Sequence, residues 1–80
     1  FNPQTTIVFE LARPERVELA IYDLHGSLVR TLVSEDRTAA RHEVVWNGKD
    51  NNGQQVPSGV YMVRLQAGGL TQMSKLALVK

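Results

Sequence analysis

The sequence contains no cysteine, which excludes a disulfide framework, a cysteine-based zinc site and an iron–sulfur cluster. It also lacks an excess of one charge, because nine lysines and arginines stand against eight acidic residues. That balance argues against nucleic acid or an acidic membrane surface as a partner. No apolar run approaches the roughly 18 residues of a membrane span, so no membrane insertion is expected. These absences leave a small globular protein that must form its core by side-chain packing alone.

The 80 residues suffice for one domain, and apolar and polar side chains alternate along most of it. In the segment 6–11, for example, Ile7, Phe9 and Leu11 fall on one face, and the residues between them fall on the other. The same period of two recurs along the chain between clusters of turn-forming residues. This spacing predicts an all-β fold of about six or seven short antiparallel strands, arranged as a sandwich or a small barrel.

Aspartate and glycine mark the tightest predicted turns. Asp23 and Gly26 frame a chain reversal, and Gly53 closes a stretch rich in asparagine and glycine, because these residue types favour turn conformations. The segment 27–33 has apolar residues on both faces, which favours a bulge or a turn of helix within a strand. The polar segment 34–40 is predicted to be a loop.

Three aromatic residues share a face with aliphatic neighbours. Phe9, Trp46 and Tyr61 each alternate in register with aliphatic residues, which is the pattern of a sandwich core. Tyr22 falls on the face opposite the aliphatic residues of its strand, so a weak carbohydrate platform stays an alternative to packing.

Few side chains have the pattern of a catalytic site. Asp23, His25 and Ser27 contain the residue types of a nucleophilic triad, but they lie within one turn. Triads bring together groups from separate segments. The sequence therefore predicts no catalytic residue, no cofactor and no enzyme.

Metal binding is equally weakly indicated. Asp50-Asn51-Asn52-Gly53 resembles part of a calcium loop, but it holds a single acid where calcium prefers several carboxylates. A solvated turn is expected there, with calcium binding left open. His42 could pair only with His25, and two histidines do not complete a metal site.

Several motifs occur in a familiar order along the whole chain, and most of them combine turn residues with the start or end of a strand. These motifs are Asn2-Pro3, Thr5-Thr6-Ile7, Ile21-Tyr22-Asp23 with Gly26, Trp46-Asn47-Gly48 with Asp50 and Gly53, and Ser58-Gly59-Val60-Tyr61. The order resembles the Ig-like C-terminal sorting domain of type IX (Por) secretion cargo. It is also similar to the Ig-like domain of the flagellar hook-capping protein.

The resemblance implies an Ig-like or fibronectin-III-like antiparallel β-sandwich of about seven short strands. Residues 1–80 would form this single module at the C-terminal end of a larger protein. The start at Phe1 instead of a methionine agrees with that expectation. A module of this kind has no enzymatic activity.

In the sorting family, an outer-membrane translocon recognises the module and a sortase commonly removes it. The resemblance thus implies protein partners, and passage through the periplasm to the cell surface or secretion. The recognition positions map onto Gly59, Tyr61, Lys75 and Lys80. Lysines on a terminal strand also protect a sheet edge, and the two roles stay open. The alternative functions are a structural scaffold domain, as in the hook-capping protein, and an accessory carbohydrate-binding module of a secreted glycoside hydrolase.

Overall fold

A computed structural model describes residues 4–79 of the chain. The fold is all-β, as predicted, and its strands form two antiparallel sheets. The part of the chain that the structure describes contains six strands, where about seven were expected. The strands are β1 (Thr5–Glu10), β2 (Glu15–Tyr22), β3 (Leu28–Arg37), β4 (Arg41–Trp46), β5 (Gly59–Ala67) and β6 (Leu70–Leu78).

The two sheets differ in size. The smaller sheet consists of β1 and β4, and the larger one has the strand order β3-β2-β5-β6. Every neighbouring pair is antiparallel. The chain therefore crosses from the small sheet to the large one after β1, returns for β4, and crosses again to β5. Such crossing connections are typical of an Ig-like sandwich.

Strand β3 is longer than predicted, because residues 34–37 continue the strand instead of forming a loop. Their polar side chains are compatible with a strand because β3 is an edge strand with one neighbour. Its pairing with β2 shifts register twice, and Val29 and Leu32 are left without a partner. These two bulges explain the apolar residues on both faces, since an extra residue reverses the alternation.

The core lies between the two sheets and is built from alternate residues of the strands. On β2, Val17, Leu19 and Ile21 have no exposed surface, and burial of each such side chain contributes about 1.5–3 kcal/mol. Trp46, at the end of β4, is also fully buried. The other buried residues are Phe9, Val33, Val56, Tyr61, Val63 and Leu78.

The connections fall at two ends of the sandwich. One end carries the β2–β3 turn and the long connection 47–58, because Tyr22 pairs with Met62 near the start of β5. The other end carries the short connections β1–β2, β3–β4 and β5–β6. The motifs quoted for the family resemblance from residue 21 onward therefore gather around the first end.

Candidate functional site

Two turns at the first end have the same architecture. In the first, the Asp23 Oδ1 atom accepts hydrogen bonds from the backbone N–H groups of His25 and Ser27, both at 2.9 Å. In the second, Asp50 Oδ1 accepts from the residues at the same offsets, at 2.9 and 3.0 Å. Each turn also closes with a backbone hydrogen bond from the residue three positions after the aspartate to the aspartate carbonyl. The glycines at that position, Gly26 and Gly53, have φ of 86° and 80°.

In the first turn, the Asp23 carboxylate stabilises the turn itself. Because the Asp23 carboxylate holds backbone N–H groups, it is not placed to orient an imidazole. Within residues 4–79, no hydrogen bond joins the side chains of Asp23, His25 and Ser27. The same part of the chain contains no buried polar or charged residue, and burial is a common feature of catalytic carboxylates and bases.

Hydrogen bonds link the connection 47–58 to both sheets. The indole Nε1 of Trp46 donates to the Lys49 carbonyl oxygen at 3.0 Å. Asn51 contacts β3 twice, since its backbone N–H donates to the Val29 carbonyl and its Oδ1 accepts from the Thr31 N–H. These contacts fall on the bulged part of β3, so the bulge and the connection form one unit.

The Asp50 carboxylate, like that of Asp23, already accepts backbone hydrogen bonds, and this limits its capacity to bind calcium. One of its carboxylate oxygens already accepts two backbone N–H groups. Across residues 4–79, no three His, Cys, Asp or Glu side chains lie close enough to hold a metal ion together. A calcium ion at Asp50 would therefore not find two further side chains of these types within the described chain.

His42 has a structural position. Its ring stacks on Phe9 with centroids 5.2 Å apart, and its Nε2 lies 2.8 Å from the Thr38 carbonyl oxygen. These contacts tie the β3–β4 connection to β1 and β4. His25 lies at the opposite end of the sandwich, so the structure does not bring the two histidines together.

Tyr61 points into the core at the start of β5. Its hydroxyl donates to the Pro57 carbonyl oxygen at 2.6 Å, an arrangement similar to the tyrosine corner of Ig-like domains. Burial raises the pKa of the Tyr61 hydroxyl, and the negative charge of Asp23 adds to that effect. At 7% exposure, this side chain packs the core and is not available to a partner.

The structure does not bring together the three described positions among those proposed for recognition. Gly59 opens β5 with φ of 159°, and a Cβ atom there would meet no atom within 4 Å, so the positive φ favours glycine at this position and a close neighbour does not. Tyr61 points inward, whereas Lys75 pairs with Met62 and points outward with it. Lys80 lies outside the described residues, as do Asn2 and Pro3.

The outward side of the large sheet offers a more coherent surface. Tyr22, Met62 and Lys75 form one cross-strand row, and Ala20, Arg64 and Met73 form the next. We call this surface, together with three flanking apolar residues, the outer patch. The flanking residues are Leu28, Val60 and Ala77.

The outer patch combines apolar surface with positive charge. Leu28, Val60 and Met73 are 50%, 43% and 54% exposed. The two cations, Arg64 and Lys75, make no ion pair with any residue between 4 and 79. An exposed apolar surface with free cations is suited to a protein partner that carries acidic side chains.

Tyr22 is the single aromatic side chain of the outer patch within the described residues. Its outward direction was predicted from the alternation of β2. A platform for a sugar ring stays a prediction, and loss of glycan binding in Tyr22→Ala would support it.

The two antiparallel sheets define the class of fold, an Ig-like β-sandwich. A family model described as the FlgD Ig-like domain matches residues 1–70. The chain belongs to the FlgD Ig-like domain family.

Relatives of the chain carry the same name. The chain is 38% identical over 66 residues to the basal-body rod modification protein FlgD of Salmonella typhimurium, covering 80% of this chain and 28% of that protein. It is 35% identical over 60 residues to FlgD of Escherichia coli K12, covering 74% and 26%. The chain thus spans little more than a quarter of the curated relatives that it matches.

A solved structure supports the fold. FlgD from P. aeruginosa superposes with a TM-score of 0.73 at 24% identity, covering 94% of this chain and 60% of that one. Similarity to the Ig-like domain of the flagellar hook-capping protein is therefore confirmed. Membership of the type IX sorting family is not shown. No helix long and apolar enough to cross a membrane occurs between residues 4 and 79.

Proposed function

We propose that this chain is a structural module of a FlgD-type protein and acts through protein–protein contacts in an assembly. The observation that carries the proposal is the family match over residues 1–70, supported by relatives named as basal-body rod modification proteins. The scaffold function, an alternative in the sequence-based prediction, therefore takes precedence over sorting.

The outer patch is the contact surface that we assign to this function. Its apolar residues supply area that leaves water on docking, and Arg64 and Lys75 supply charges that select an acidic partner. Its two methionines, Met62 and Met73, are flexible enough to adapt to a partner's shape. An ordinary polar surface would lack the exposed apolar area and the methionines.

A domain exchange tests the scaffold function. The matching segment of Salmonella FlgD is replaced by this chain, and swimming motility is measured in a strain that lacks its own FlgD. Motility above that of the strain without FlgD supports the proposal. A chimaeric protein that accumulates at the normal level and leaves the cells non-motile contradicts it.

Charge reversal then tests the outer patch within a functional chimaera. Lys75→Glu combined with Arg64→Glu is expected to reduce motility, because both changes repel an acidic partner. Arg41→Glu on the small sheet is the matched control, since it reverses an exposed cation outside the patch. Equal motility of all three proteins would remove the patch from the proposal and leave the scaffold function standing.

The sorting function is the second candidate, and the motif order along the chain is what favours it. Under this alternative the module acts at the outer membrane, with a translocon and a sortase as partners and the cell surface as destination. Deleting residues 71–80 is a poor test, because it removes Leu78, which is 2% exposed in the core.

A better test of sorting keeps the domain folded. The chain is fused behind a periplasmic reporter in a bacterium with type IX secretion, as wild type and as Lys75→Glu. Surface display that is lost in Lys75→Glu but kept in Arg41→Glu would support sorting. Retention of the wild-type fusion in the periplasm would rule it out.

A further inference from the structure

The small sheet leaves part of the large sheet uncovered. Two strands pack over four, and the inward side of β6 is buried only near its end. Leu78 is 2% exposed there, whereas Leu70, at the other end of β6, is 71% exposed. Gln72 and Ser74 lie on the same side, because they pair with the inward residues of β5, and they are exposed as well. Among residues 4–79, no strand therefore lies above the first half of β6.

A groove of about 640 Å³ lies at this uncovered region. Ile7 and Phe9 of β1, Leu65 of β5 and Gln72 of β6 are among its walls. A second hollow of about 480 Å³ shares Glu10, Leu65 and Gln72 with it and extends toward the β1–β2 connection. Both hollows are lined by residues of β1 and by no described residue of β4. The edge of β1 that is not paired with β4 therefore faces the groove.

Three of the four sheet edges carry features that discourage pairing with another strand. β3 has two bulges and is covered in part by Asn51. β4 carries the charged pair Arg41 and Glu43 near its start, and β6 carries Lys75 near its middle. Bulges, covering loops and charged side chains are common means of blocking an edge.

The free edge of β1 has no bulge within its described pairing, and its one charged residue, Glu10, stands at its end. Its sequence, Thr-Thr-Ile-Val-Phe-Glu, contains no lysine and no proline, and its pairing with β4 has no register shift. One side of β1 pairs with β4, and the backbone N–H and C=O groups on its other side remain open to a further strand. An unprotected edge beside an uncovered apolar sheet face is the arrangement used in strand addition.

We infer that the free edge of β1 accepts an extended segment of a partner protein as a further strand of the small sheet. Alternate side chains of this segment point into the groove and are apolar, since Ile7, Phe9 and Leu65 line it. Glu10 is exposed at the rim and makes no ion pair within the described chain. The segment therefore carries a lysine or arginine beside Glu10. This inference rests on the sheet arrangement and does not depend on the proposed function.

Peptide titration tests the strand site directly. The ¹⁵N-labelled 80-residue chain is titrated with a capped peptide of about eight residues that alternates valine with threonine and ends in lysine. Backbone amides of residues 5–10 and 70–74 are expected to shift, and those of β1 should become protected from hydrogen exchange. A control peptide with N-methyl groups on alternate residues cannot pair and should not bind. Absence of binding up to ~1 mM, or shifts confined to β3, β4 or the far side of β6, would overturn the inference.

Matched variants distinguish peptide binding in the groove from nonspecific peptide binding elsewhere on the surface. Gln72→Trp fills the groove and is expected to weaken the peptide about tenfold or more. Gln66→Trp adds the same side chain to the outward face of β5 and should leave binding unchanged. Glu10→Lys should weaken the lysine peptide and strengthen one that ends in glutamate. Equal affinity of all variants would contradict the placement.

The source of the strand is tested with a longer parent polypeptide. Binding of the peptide to that polypeptide, with the same shifts in β1, supports a partner protein as the source. Two results would overturn that source: a parent polypeptide that does not bind although the 80-residue chain does, and a dimer of this chain that forms without peptide through β1.

Discussion

The rings of Trp46 and Tyr61 meet edge to face, with centroids 5.3 Å apart. Trp46 ends β4 in the small sheet and Tyr61 lies near the start of β5 in the large one, so this pair joins the two sheets across the core. Each ring also holds the connection between those strands, through Lys49 for the indole and Pro57 for the phenol. Packing of the core and the path of residues 47–58 are therefore coupled.

Trp46→Ala is expected to lower the free energy of unfolding by about 3–5 kcal/mol. The change removes the largest fully buried side chain and the hydrogen bond to Lys49. Because small domains have a total stability of about 5–15 kcal/mol, this loss should leave the domain partly or fully unfolded at 37 °C. Amide shift dispersion and thermal melting measure the effect. Trp46→Phe, which keeps most of the packing, should stay folded, and a well-folded Trp46→Ala protein would show that the inward face is assigned incorrectly.

Tyr61→Phe isolates the hydrogen bond to Pro57 from the ring contact with Trp46. We expect a loss of about 0.5–1.5 kcal/mol, the usual net contribution of one hydrogen bond. Urea denaturation of wild type and variant gives the difference. Tyr61→Ala, which also removes the ring, should cost several times more. Equal costs for the two variants would mean that the ring contact contributes little.

The alternating strands could be predicted because each has one buried and one solvated face. Val17, Leu19 and Ile21 show this pattern on β2, and it also placed Tyr22 outward. Strand β3 could not be bounded in this way, since its bulges reverse the alternation and its polar end is stable as an edge.

The division of the strands into one sheet of two and one sheet of four could not be predicted from the alternation of apolar and polar residues. Pairing partners depend on contacts between distant segments, such as β1 with β4, which periodicity does not encode. The row of Tyr22, Met62 and Lys75 depends on the same registers. A signal that could have linked the two aspartate turns was present, because both have aspartate followed by glycine three residues later.

Stability is expected to fall as the pH rises above about 10, in part because of Tyr61. Burial, followed by the charge of Asp23, raises the pKa of this hydroxyl above its ordinary value of 10.0. The folded state therefore favours the neutral phenol, and its contribution to stability is complete below pH 10 and is lost as the pH rises through the raised pKa.

The measurement is the free energy of unfolding between pH 8 and about 12 for wild type and Tyr61→Phe. The variant should show a smaller decrease, since it has no hydroxyl to ionise there. Asp23→Asn keeps an oxygen acceptor for the turn but removes the negative charge, so it should give an intermediate slope. Identical slopes for wild type and Tyr61→Phe would contradict the assignment.

We expect the two aspartate turns to lose the same stability when their glycines are replaced. Gly26 and Gly53 have nearly the same φ, and a Cβ at either would meet no atom within 4 Å. Alanine should therefore cost the same at both positions, about 1–2 kcal/mol, through backbone strain alone. Asparagine tolerates the left-handed conformation better and should recover much of that loss. Urea denaturation of Gly26→Ala, Gly53→Ala and the two asparagine variants measures both effects. A much larger cost at Gly53 would mean that its turn also positions Asn51 against β3, and the turns would then not be energetically equivalent.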